Sequence, residues 1–187
     1  MNSQQQGGIV ARLRRLFGSR DVAADRQEAA KIYRRAVVRA RRPELYMRYK
    51  VADTPAGRYE MIAWQVMVEL NLLGDRGEDG RRIGQEVVDL MFTDMDRSLR
   101  ELGVGDPSVG RQMRELGNTW KARVALAQRA LPPPATQSDS QGDQQELAVF
   151  LERNAGAREA PADGQGLAAD LLQILQRLRA EQQGGAP

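Results

Sequence analysis

Two aspartates and a pair of glycines carry the most conspicuous chemistry in the chain. The stretch "MFTDMDRSLRELGVGDPSVG", Met91 to Gly110, sets Asp94 and Asp96 beside Arg97 and Arg100, then passes through Gly103 and Gly105 to Asp106. Paired carboxylates do acid/base work, or grip a divalent cation, when their oxygens face one atom. A Gly-x-Gly turn cradles phosphate when it follows a strand and opens a helix. This stretch satisfies neither condition. On a helix, residues two apart diverge by roughly 200°, so Asp94 and Asp96 cannot flank one substrate atom. Arg97 is three beyond Asp94 and Arg100 four beyond Asp96, the spacings of ordinary helix-surface ion pairs. The glycines follow a helical stripe, where Gly103 suits a left-handed cap that Val104 could complete with an apolar contact. Asp106-Pro107 then reads as a cap residue and the first residue of the next helix.

The wider composition argues the same way. The 187 residues include no His and no Cys. That removes the usual base near neutral pH, the commonest metal ligand, the thiolate nucleophile and any disulfide framework. A metal enzyme built on Asp89, Asp94 and Asp96 would need a second acidic motif on a facing helix, and the sequence supplies none. We therefore expect no catalytic residue, no metal site and no cofactor.

The elements around this corner are helical throughout. Ala29, Ile32, Tyr33, Ala36, Val37 and Ala40 step by three or four between Asp21 and Arg42, and Pro43 closes that run. "PELYMRY" predicts a short helix turning Leu45, Tyr46 and Tyr49 inward. Asp53 or Thr54 can cap a helix from Pro55 to about Leu73, apolar nearly all round and so central or partner-facing. "GDRGEDG" reads as a loop before a helix from about Arg81 to Leu102. After the corner, Val109, Met113, Leu116, Trp120, Val124, Ala127 and Leu131 form the cleanest stripe in the chain. "LPPPATQSDSQGDQ" is a linker; "QELAVFLERN" and "LAADLLQILQRLRA" are two further helices. The expected fold is all-α, a single domain of six or seven helices. Residues 20–131 make the main domain, 132–143 a Pro-rich linker, and 144–183 a C-terminal segment docked on the main domain.

Residues 1–19 differ in character. Met1 to Gly8 is polar and reads as a flexible tail. In "IVARLRRLFGSR", Leu13, Leu16 and Phe17 share an arc with Ile9 and Val10, opposite Arg12, Arg14 and Arg15. Residues 1–42 hold eleven Lys/Arg against three acids, a charge of +8, which leaves −5 for the remainder of a chain whose total is +3. A basic amphipathic arm of this kind lies on an anionic membrane or docks on a partner, with Arg12, Leu13, Arg15, Leu16 and Phe17 as contacts. It also resembles a mitochondrial presequence. A helix packed on its own domain, or a merely solvated basic face, leaves the same pattern. No recognised nucleic-acid motif accompanies the arginines. No apolar run approaches the roughly 18 residues of a membrane span, so a soluble or peripheral, intracellular protein is expected.

"VADTPAGRYEM", the run "DMDRSLRELGVGD" and "LAVFLERN" together resemble the ubiquinol–cytochrome c chaperone family, over roughly residues 20–180. The residues carrying the resemblance are Asp53, Gly57, Arg58, Asp94, Asp96, Arg97, Gly103, Gly105, Asp106, Arg153 and Asn154. Bacterial members usually read Phe-Tyr-Gly-Arg where this chain has Thr119 to Arg123, and they carry more lysine where it has "GRQMRELG". The resemblance implies a non-catalytic assembly factor of the cytochrome bc1 complex that binds newly made cytochrome b. It further implies a place in the bacterial cytoplasm against the inner membrane, or in the mitochondrial matrix. The ribosome or a small partner subunit are additional partners it allows. A membrane- or ribosome-associated helical adaptor with another client is the alternative.

Overall fold

The computed structural model describes residues 4–103, 105–131, 141–157 and 159–184, with side chains from residue 22 onward, and these residues form seven helices. In chain order they are α1 (Gln4–Ala40), α2 (Pro43–Met47), α3 (Pro55–Gly74), α4 (Gly77–Glu101), α5 (Asp106–Ala130), α6 (Gln141–Ala155) and α7 (Gly164–Gly184). Among the described residues there is no strand, only an isolated bridge between Ala157 and Ala160. The all-α expectation holds.

α3 occupies the centre, as its composition demands. Pro55 begins it, and the Thr54 hydroxyl, not Asp53, caps it by accepting from the Gly57 amide at 3.2 Å. From Tyr59 to Glu69 every side chain is buried, because α1, α4, α5, α6 and α7 all pack against this helix. A helix enclosed on all sides must satisfy each polar group it carries. Gln65 and Glu69 do so through Arg39 of α1, whose Nε donates to Gln65 Oε1 at 2.9 Å and whose Nη2 donates to Glu69 Oε1 at 2.6 Å.

α1 meets the bundle along Ala29, Ile32, Ala36 and Ala40, a narrow small-residue stripe that lets the helix axes come close. α6 and α7 pack on each other and on α3, and Leu147, Leu151, Leu167, Leu171 and Leu175 share one core with Trp64 and Val68. Backbone bonds brace that junction: the Ala52 amide donates to the Ala155 carbonyl and the Asp163 amide to the Tyr49 carbonyl, each at 2.8 Å. An ion pair from Arg42, the N-cap residue of α2, to Asp170 at 2.5 Å ties the α1–α2 turn to α7.

Four boundaries differ from the sequence reading. α1 is one helix of 37 residues from Gln4 onward, with no break between the basic segment and the run after Asp21, and with Gln4 to Gly8 already in the helix. No proline intervenes before Pro43 to interrupt it. α4 starts at Gly77, four residues early. The "GDRGEDG" glycines shape its entry: Gly77 takes a positive φ of 60°, and a Cβ on Gly80 would overlap the Leu73 carbonyl oxygen. Glu78 and Asp79 then fall in the first turn, where the helix dipole favours acids. α6 begins at Gln141, inside the expected linker. Asp106 is not a side-chain cap: Gly105 is the N-cap residue and Asp106 opens the first turn of α5. Residues 132–140 and Val104 lie outside the described residues, as do the side chains of Arg12, Leu13, Arg15, Leu16 and Phe17.

Candidate functional site

A groove of about 910 Å³ runs between the start of α3, the end of α4, the middle of α5 and the end of α6. Its floor is charged. Glu60 and Arg123 are 2% and 5% exposed, and they face each other across α3 and α5. Arg123 Nε donates to Glu60 Oε1 at 3.0 Å while Nη2 donates to Oε2, a two-point pairing. Trp64 Nε1 adds a third bond to Glu60 Oε1 at 2.8 Å. The guanidinium carbon lies 5.4 Å from the ring centres of both Tyr59 and Phe150, within cation–π range. Burial works against the charge on Arg123, and the Glu60 carboxylate outweighs it, holding the guanidinium above its ordinary pKa. Over this floor the walls are largely apolar, with Ile62, Met95, Leu99 and Leu116.

A family model described as ubiquinol-cytochrome C chaperone matches residues 47–183. The chain belongs to the ubiquinol–cytochrome c chaperone family. Its fold matches the crystal structure of the Cbp3 homolog from Brucella abortus with a TM-score of 0.67 and 32% sequence identity, over 91% of this chain and 88% of that one. No curated protein matches the sequence.

In this chaperone most of the residues that carry the resemblance gather in two places. Asp53 and Arg58 come from one stretch, Asp94 and Asn154 from two others, and all four line the groove. Arg58 Nε donates to Asp53 Oδ1 at 2.6 Å, and that bond holds the Asp53 carboxyl below the usual carboxylate range. Asp94 accepts from Tyr33 of α1 at 2.9 Å and pairs with Arg97 one turn along. Burial, then the bond to Asp94, raises the Tyr33 phenol well above its ordinary pKa, so it stays a donor. Asn154 Nδ2 donates to the Phe150 carbonyl at 2.7 Å, and neighbouring Arg153 is exposed.

The other group builds the corner. Arg100 donates to Asp96 at 2.7 Å and also to Asp106, which clamps the last turn of α4 to the first turn of α5. Gly103 adopts φ 77°, the left-handed cap, and its amide reaches the Arg100 carbonyl at 2.9 Å. Gly105 accepts from the Ser108 and Val109 amides. Asp94 and Asp96 thus serve different neighbours, and among the described residues no three acidic side chains converge to hold a metal ion. Gly57 belongs to neither set: it lets the start of α3 lie against the Ala52 carbonyl.

The sequence reading missed the groove floor altogether. The helix from Pro55 reads as apolar nearly all round, Glu60 carries no expectation, and Arg123 enters only as the end of the Thr119 to Arg123 stretch that departs from the family's wording. The available signal was the presence of Glu60, Gln65 and Glu69 inside a helix otherwise apolar on every side, since each such group requires a partner.

Proposed function

We propose that the protein is an assembly chaperone for the cytochrome bc1 complex, which binds newly made cytochrome b at the membrane surface and acts by adhesion, without turnover. The observation that carries this reading is the convergence of Asp53, Arg58, Asp94 and Asn154, drawn from three stretches of family-like sequence, on one apolar-walled groove. An unassembled membrane subunit exposes apolar helices and the loops between them. A trough with apolar walls and a fixed polar floor can cover such a segment, and the absence of His and Cys from the chain removes the usual nucleophiles and bases. No described helix is long and apolar enough to cross a membrane, so contact with the bilayer falls to a surface element. The basic segment of α1 fits that task, and the bacterial inner membrane or the mitochondrial inner membrane would be its platform.

The deciding experiment deletes the gene and records reduced-minus-oxidised visible spectra of the membranes. Selective loss of the b- and c-type haem bands of the bc1 complex, restored by the wild-type gene, is the expected result. An intact complex in the deletion strain rules the reading out.

A further inference from the structure

From Val22 onward, the charged side chains of α1 and of the turn after it fall into two sets. Arg26, Arg35, Arg39 and Arg42 each reach an acid on another helix: Glu86 of α4 for the first, Glu69 of α3 for the next two, and Asp170 of α7 for the last. Asp25 and Glu28 are taken by Arg82 and Arg76. Lys31, Arg34 and Arg41 differ: they are exposed and, among the described residues, form no ion pair. Glu28, one turn before Lys31, is held below the usual carboxylate range chiefly by its bond to Arg76. Of the acids that line a groove with Arg41, Asp53 pairs with Arg58, Glu60 with Arg123, and Asp94 and Glu101 with Arg97, which leaves Glu115 on α5.

Solvated cations on a helix are ordinary by themselves. These three flank an apolar residue that stands in water beside them. Val38 is 66% exposed, and Arg41 follows one turn on, its amide bonded to the Val38 carbonyl at 3.3 Å. Arg41 in turn shares a depression of about 440 Å³ with Met47, which is 76% exposed. Val38 and Met47 are the two most exposed large apolar side chains among the described residues. Residues 43–50 add Arg48 and Lys50 against one acid, Glu44, all exposed.

The basic segment lies along the same line. α1 is unbroken from Gln4 to Ala40. Counted at roughly 100° per residue, Lys31, Arg34 and Arg41 fall within about 60° of Val38, and so do the positions of Ile9, Leu13, Leu16 and Phe17. The core positions Ala29, Ile32, Ala36 and Ala40 lie about 120–180° away. The apolar arc of the basic segment therefore continues the outward side of the helix, not the side that packs on α3 and α4.

We infer that the outward face of α1, from the basic segment through Lys31, Arg34 and Val38 to Arg41 and Met47, lies flat on an anionic bilayer. The inference rests on the membrane-surface part of the function proposed above and states which side of the folded bundle meets the lipid. A straight face about 50 Å long that mixes cations with apolar side chains suits a planar anionic surface, whereas nucleic acid calls for the cations alone. The basic segment supplies the insertion, and the face on the bundle supplies orientation and a further share of the charge. Arg41 also lines the larger groove, so the groove opens beside the bilayer.

The test uses the full chain with one change, Val38→Cys, which takes a nitrobenzoxadiazole label at that position alone because the sequence has no other cysteine. On vesicles of phosphatidylcholine and phosphatidylglycerol the emission rises and shifts to the blue. The same label on Gln128→Cys, exposed on α5, does not respond. Changing Lys31, Arg34 and Arg41 together to Glu weakens sedimentation with those vesicles at least tenfold, since each basic residue near such a surface is worth roughly fivefold. The melting temperature stays unchanged, because none of the three is paired. The equal reversal of Arg111, Arg114 and Lys121, exposed and unpaired on α5, weakens sedimentation by less than about threefold. A silent label at position 38 in the bound protein overturns the inference, whatever the triple variant does to the fold. Equal weakening by the two triple variants overturns it as well, by making net charge the only cause, and so does tighter binding to single-stranded RNA than to the vesicles. The two readings fail separately: a responding label in a protein whose deletion leaves the bc1 complex intact keeps the face and removes the client. Loss of the complex with a silent label does the reverse.

Discussion

At the scale of single residues, the decisive interaction is the buried pair of Glu60 and Arg123. Removing two charges from water is expensive, and the gain from their attraction roughly offsets that cost when the geometry is good. Breaking one half is another matter, because the remaining charge keeps its desolvation penalty. Arg123→Met should therefore destabilise the protein by about 3–5 kcal/mol, while the double change Glu60→Leu with Arg123→Met should recover most of that loss. The recovery stays incomplete because Trp64 Nε1 loses its acceptor, a net bond of about 1 kcal/mol. Urea unfolding midpoints at constant slope measure both. A double variant no more stable than the single one would mean that the pair contributes net stability to the fold. The pair was hard to see in the sequence because its members lie 63 residues apart and follow no local period. Arg123 does fall on the α5 stripe, seven beyond Leu116 and four before Ala127, where an apolar residue is the rule.

At the scale of elements, glycines and prolines made most of the architecture legible. Pro43, Pro55 and Gly103 act by fixing or freeing one backbone angle, an effect written in the residue itself. The start of α4 was not legible, because Gly77 and Gly80 look like a loop until Leu73 is known to lie against Gly80. The corner acids misled for a related reason: a first-turn aspartate clamped by Arg100 and a capping aspartate have the same sequence. The distinction between glycines that a contact requires and glycines that merely occur can be measured. Gly57 lies in the first turn of α3, where a Cβ would overlap the Ala52 carbonyl oxygen and stand 3.3 Å from the Ala155 carbonyl oxygen. Gly110 lies inside α5 with nothing within 4 Å of the same position. Helix propensity alone favours alanine at both by about 1 kcal/mol. Gly110→Ala should accordingly raise the melting temperature by a few degrees. Gly57→Ala should lower it, since overpacking of about 1–3 kcal/mol exceeds the propensity gain. If both substitutions stabilise, the α3–α6 junction is looser than the contact implies.

At the scale of the molecule, charge is distributed as unevenly as apolarity. Residues 1–42 carry +8 and the rest −5, so the chain presents a basic end and an acidic body. The family model matches from residue 47, after this basic end. We propose that this segment attaches the protein to an anionic bilayer, arginines meeting the headgroups and Leu13, Leu16 and Phe17 the acyl boundary; docking on a partner or packing on its own bundle leaves the same sequence pattern. Both contributions can be isolated. The protein should sediment with vesicles rich in anionic lipid and not with neutral ones, and raising the salt from 0.1 M toward 1 M, which shortens the screening length from about 10 to about 3 Å, should weaken the electrostatic part. Changing Leu13, Leu16 and Phe17 together to Asp should abolish sedimentation at any salt, because it removes the apolar part and three units of net positive charge. Helicity and the urea midpoint should stay close to wild type if the segment serves the membrane, since among the described side chains the core runs from Ala29 through α3, α4, α5, α6 and α7. Unchanged sedimentation would show that another surface meets the membrane. A collapse of the urea midpoint would show that the segment packs on its own bundle, and in either case attachment would have to be sought in the bundle itself.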